Sequence, residues 1–127
     1  MKTILSIALA AGVVMASGAA LAQMAPAKSG DSAKGKVLTD AKGMTLYTFD
    51  KDAGGKSACN GPCATNWPPL MAAADAKPAA DYTIIARDDG GKQWAYKGKQ
   101  LYGWVKDTKP GETTGDGVNG SWHIASP

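Results

Sequence analysis

The chain has 127 residues, 14 Lys and Arg against 11 Asp and Glu, one His and two Cys, for a net charge of +3. Its basic residues are scattered, and no run of them builds the stripe that nucleic acid or an anionic membrane surface needs, so neither is expected as a partner. Two Cys and one His fall short of the four ligands of a structural zinc site.

Met1-Lys2 is a short basic start, Thr3 to Met15 is almost wholly apolar, and Ala16 to Ala22 is rich in small residues, ending Ala20-Leu21-Ala22. That order is the secretory pattern, so residues 1–22 are expected to be a signal peptide cleaved after Ala22. The apolar run is shorter than the roughly 20 residues of a comfortable membrane span, and no stop-transfer segment follows. No stable membrane insertion is therefore expected after cleavage. No Cys stands at or just after the cleavage site, so lipid attachment there has no chemistry available. What remains, Gln23 to Pro127, is 105 residues with a charge of +2. That is one domain's worth of chain, placed by its leader in the periplasm or secreted.

Residues 23–36 are Ala, Lys, Gly, Ser and Pro without periodicity and read as a flexible leader. The ordered part, residues 37–127, is expected to start with a strand at Val37-Leu38-Thr39. A turn follows at Asp40-Ala41-Lys42-Gly43, then a second strand from Met44 to Phe49. Ala64 to Trp67 suits a short helical turn, ended by Pro68-Pro69 because the residue before Pro is pushed out of the helical region. Met71 to Ala80 is Ala-rich but Pro-broken and is not expected to be a helix. Asp81 to Arg87 is strand-like, and Asp88-Asp89-Gly90-Gly91 has the turn chemistry for positive φ, so Ile84-Ile85 should pair antiparallel with Trp94-Ala95. Gln93 to Tyr96 and Lys99 to Trp104 flank Lys97-Gly98 as a hairpin. Lys109 to Gly117 is a long irregular loop.

A shift of 55 residues lays this chain on itself without a gap. Lys42-Gly43 falls on Lys97-Gly98, Leu46-Tyr47 on Leu101-Tyr102, Phe49 on Trp104, Lys51-Asp52 on Lys106-Asp107, and Trp67 on Trp122. A fixed period with rare residues in register marks a duplicated unit whose copies pack on each other. The expected fold is mainly β: two tandem repeats of about 55 residues, near 37–80 and 81–127, forming one small β domain with short helical turns.

Two constellations bear on chemistry. Cys59-Asn60-Gly61-Pro62-Cys63 in an exported chain suits a small structural disulfide, whose short loop is worth about 2 kcal/mol in the chain-entropy model. The same thiolates with His123 form the alternative, a copper or thiol-redox site, since soft ligands select Cu(I). His123 is the 55-residue counterpart of Pro68, close to the cysteine loop, so two-fold packing would bring it toward Cys63. The repeated Tyr47, Phe49, Asp52 and Tyr102, Trp104, Asp107 have strand spacing. With Trp67 and Trp122 they either fill the core, Asp capping the next turn or accepting a Tyr or Trp hydrogen bond, or form two equivalent ligand pockets between the halves. Catalysis has less to stand on. Asp50 with Asp52 and Asp88 with Asp89 sit at turns, Ser121 near His123 lacks a nucleophile elbow, and Asp116 to Gly120 lacks the spaced oxygens of a calcium loop.

At these residues the chain resembles a family of secreted lipoproteins carrying a tandem Y-x-(F/W/Y)-x-x-D repeat. The matching segments are Leu46 to Asp52 and Leu101 to Asp107, with Cys59 to Pro69, Arg87 to Gly90 and Gly115 to His123 as further hallmarks, together spanning roughly Val37 to Pro127. The resemblance implies a secreted repeat of unknown function, and the missing lipobox Cys departs from its lipoprotein label. The combined reading is an exported, non-enzymatic envelope binding or accessory protein that needs no cofactor, its ligand an envelope protein or a small molecule. The alternative is a copper-binding or thiol-redox accessory protein using Cys59, Cys63 and His123.

Overall fold

The computed structural model describes residues 26–127; the expected signal peptide and residues 23–25 lie outside the described residues. The elements are β1 (Lys28–Ser32), β2 (Gly35–Thr39), β3 (Tyr47–Phe49), α1 (Pro62–Asn66), β4 (Tyr82–Ala86), β5 (Lys92–Tyr96), β6 (Lys99–Gln100), a 3₁₀ turn (Val118–Gly120) and β7 (Trp122–Ile124). The protein is mainly β and built of small antiparallel sheets.

Each half opens with a hairpin. β1 pairs with β2, Lys28 opposite Thr39, and β4 pairs with β5, Tyr82 opposite Tyr96. The turns need left-handed backbone, supplied by the 55-residue equivalents Gly35 (φ 99°) and Gly90 (φ 93°). The β1–β2 hairpin corrects the expectation of a flexible leader through residue 36. Lys28 to Lys36 has no apolar alternation because most of its side chains stay in solvent, and its backbone is held by the inward Val37, Leu38 and Thr39 opposite. The β4–β5 register puts Ile84 opposite Trp94 and Ile85 opposite Gln93, one residue from the expected pairing. Lys97 (φ 50°) and Gly98 (φ 86°) then turn the chain into β6 with both central residues left-handed, as a tight hairpin demands.

Past each hairpin the chain leaves for the other half. β3 pairs with β7, Tyr47 opposite Ile124, although β7 closes the second copy. Tyr102 in turn bridges Pro69, from the end of the first copy. The two Tyr segments join at the centre, where the Tyr47 N–H donates to the Tyr102 carbonyl at 2.7 Å and the Tyr102 N–H returns the bond at 2.9 Å. This reciprocal pair marks a pseudo-two-fold axis. Equivalent bonds repeat around it: Asp50 N–H to Ser121 O matches Val105 N–H to Asn66 O, and Ala125 N–H to Leu46 O matches Leu70 N–H to Leu101 O. The halves are therefore intertwined, each completing the other's strand pairs.

Two apolar clusters result. One gathers Leu38, Leu46, Tyr82, Trp94, Leu101 and Ala125. The other, on the seam, gathers Tyr47, Cys59, Trp67, Tyr102 and Trp122. Helix α1 carries Pro at its start and ends at Trp67, before Pro68, as the sequence requires.

Candidate functional site

The repeated motif is spent crosswise. The Tyr47 hydroxyl donates to Asp107 Oδ2 at 2.6 Å, and the Tyr102 hydroxyl donates to Asp52 Oδ2 at 2.7 Å, so each tyrosine is bound by the aspartate of the other repeat. Each aspartate also ties down its own following loop. Asp52 Oδ1 accepts the Ala58 N–H at 2.7 Å; Asp107 Oδ1 accepts the Thr114 N–H at 3.0 Å and its hydroxyl at 2.6 Å. Both tyrosines are buried, and burial, with the hydrogen bond to aspartate, pushes both phenols well above their usual range. Burial also raises the Asp52 carboxyl, against the pull of its hydrogen bonds.

The motif's aromatic residues build a four-ring column across the same axis. Trp67 and Trp122 lie face to face with centroids 3.8 Å apart and planes 1° from parallel. Phe49 stacks on the outer side of Trp122 at 4.1 Å, and its repeat equivalent Trp104 on the outer side of Trp67 at 3.9 Å. Tyr47 and Tyr102 meet Trp67 and Trp122 edge-on, at 5.5 and 5.1 Å. All eight motif and Trp positions thus gather at one seam, with the tyrosine and aspartate groups bonded to each other.

The two cysteines are bonded to each other, S–S 2.10 Å, which removes the thiolates that a copper site would need. The copper alternative is corrected on a second count. The His123 Nε2–H donates to Asp50 Oδ2 at 2.7 Å in a cleft that does not include Cys59 or Cys63. The cysteine loop is instead clamped by Arg87, whose side chain is wholly buried. Its guanidinium donates to the Cys59 carbonyl, Asn60 Oδ1, Gln93 Oε1, Ser57 Oγ and the Asp89 carboxylate. Ser57 continues the chain to the Tyr102 oxygen at 2.6 Å, joining the Arg87 network to Asp52.

The cleft at His123 is about 340 Å³. It lies between β3, β7 and the β5–β6 turn. Asp50, His123, Lys97 and Lys99 line it with Tyr96, and Leu101, Ile124 and Ala125 contribute apolar surface. A second groove of about 290 Å³ runs over the edges of Phe49, Trp67 and Trp122, rimmed by Lys51, Asn66 and Asn119.

A family model described as a secreted repeat of unknown function, Lipoprotein_15, matches residues 28–71 and 83–126. The chain belongs to that family. The two Lipoprotein_15 segments begin 55 residues apart and include the β1–β2 and β4–β5 hairpins, in step with the duplication. No match was found among curated proteins or among solved structures. No helix among the described residues is long and apolar enough to cross a membrane.

The two Lipoprotein_15 repeats act as controls for one another. Asp50 and His123 have Val105 and Pro68 as 55-residue equivalents, Lys99 has Met44, and Ser126 has Met71. The same strand pairing is thus made in the other half without a charged pair, so the scaffold does not require Asp50 or His123 where they stand. Asp50, Tyr96, Lys97 and Lys99 were not singled out as site residues from sequence. The offset that exposes them was visible, since Asp50 and His123 both fall on apolar residues under the 55-residue shift.

Proposed function

We propose that the protein is an exported, non-enzymatic binding or accessory module of the cell envelope, and that its ligand is taken in the Asp50–His123 cleft. The observation that carries this reading is the contrast between the two kinds of polar residue. Those of the repeated motif are consumed in joining the halves, whereas Asp50, His123 and Lys99 of the cleft have no polar counterpart in the other repeat. A mixed apolar and polar concavity of this volume on a cross-linked frame is the ordinary form of a small binding site.

The test is amide chemical-shift mapping on the exported protein, disulfide intact, titrated with a low-molecular-weight extract of the envelope. Saturable shifts confined to Thr48, Lys97, Lys99 and His123 are expected, without consumption of any component. Shifts that map elsewhere, or turnover of a component that His123→Ala abolishes, would overturn the proposal.

A further inference from the structure

We infer that the cleft takes a small organic anion, a carboxylate on an apolar body, with Lys97 and Lys99 meeting the charge. This rests on the reading of the cleft as the binding site and names its ligand class. The first argument is charge. Two lysines face one carboxylate, Asp50, and that carboxylate is already bonded to His123. Lys97 and Lys99, like most lysines among the described residues, take part in no ion pair there, so both charges are available at the cleft. A ligand carboxylate would supply the missing partner, and a charge-assisted hydrogen bond is the strongest that such a site can make.

The second argument is the geometry of the turn. Lys97 stands at φ 50°, a left-handed conformation where Gly or Asn would be easier. Its Nζ lies 5.1 Å from the centre of the Tyr96 ring, so the cation is held at the mouth beside an aromatic wall. The third argument is the wall itself. Tyr96, Ile124 and Ala125 offer apolar surface that a bare, hydrated ion would leave uncovered.

The probes are octanoate, octanol and inorganic phosphate, titrated into the exported protein and followed by the same amide shifts. Octanoate is expected to saturate the cleft, with the other two at least about tenfold weaker, the ratio that one charge-assisted contact provides. Lys97→Asn combined with Lys99→Gln should weaken octanoate by about tenfold or more, since each change removes a charge and Asn tolerates the left-handed turn. Lys51→Gln, on the other groove, should leave it unchanged. Octanol binding as well as octanoate, phosphate binding as well as octanoate, or an unaltered double variant would each overturn the inference. If the envelope extract perturbs the cleft while octanoate does not, the ligand class is wrong and the binding reading survives. If neither perturbs it, both fail.

Discussion

Removing one phenolic oxygen tests the crosswise seam. Tyr47 is fully buried; its hydroxyl donates to Asp107 Oδ2 at 2.6 Å and accepts the Gly115 N–H at 3.2 Å. In Tyr47→Phe, Asp107 keeps both Thr114 donors on Oδ1, but Oδ2 and the Gly115 amide lose their partner. A hydrogen bond to a charged group is worth about 1.5–3 kcal/mol, and a stranded buried amide adds about 1 kcal/mol or more, so a loss near 3 kcal/mol is expected. For a domain of this length that is a fall in Tm of roughly 12–24 °C. Tyr102→Phe should cost less. Ser57 would still receive Arg87 Nη1 and could turn to the Cys59 carbonyl, and Asp52 is less deeply buried than Asp107. Urea unfolding of both variants, with the denaturant slope unchanged, measures the difference. A Tyr47→Phe loss under about 1 kcal/mol, or a larger loss for Tyr102→Phe, would refute the reasoning.

Gly115→Ala should destabilise by about 1–3 kcal/mol in the same assay, because a Cβ has to displace rigid rings; it would lie 2.8 and 2.9 Å from Trp67 atoms and 3.0 Å from Trp104. Cys59→Ser with Cys63→Ser should cost about 2 kcal/mol and leave the far-ultraviolet circular dichroism of a folded protein, since the closed loop is short; complete unfolding would show that the bridge does more. The Asp52 carboxyl is raised by burial, so the native state holds its proton more readily than the unfolded chain. Stability from this group is therefore present below the unfolded value and lost as pH rises through the folded one. The Tm of the wild type minus that of Asp52→Asn should grow as pH is lowered from 7 toward 4, and a flat or shrinking difference would contradict the assignment.

The period of 55 residues was legible because Tyr and Trp are rare and are held at the axis, where substitution would break the column or the Tyr–Asp bonds. The hairpin around Lys97-Gly98 was legible from its turn chemistry. Three things were not. Which copy each strand pairs with has no sequence signature, because Trp67–Pro69 and Trp122–Ile124 would satisfy either Tyr strand chemically; only the chain path between them decides. The β1–β2 hairpin was hidden by polar, outward side chains, although Gly35 falling on Gly90 carried the repeat back into that stretch. The cleft was illegible for a related reason: Asp50 and His123 are 73 positions apart and meet only because β3 pairs with β7. The disulfide remained one of two readings until the two sulfurs were seen bonded to each other rather than beside His123.

Nuclear Overhauser contacts along the two Tyr strands probe the intertwined pairing most directly. Cross-strand contacts from Tyr47 to Ile124 and Tyr102, and from Tyr102 to Pro69, are expected, with the Tyr47 and Tyr102 amides among the slowest to exchange. Contacts from Tyr47 to Pro69 in its own repeat, with none to Ile124, would contradict the account.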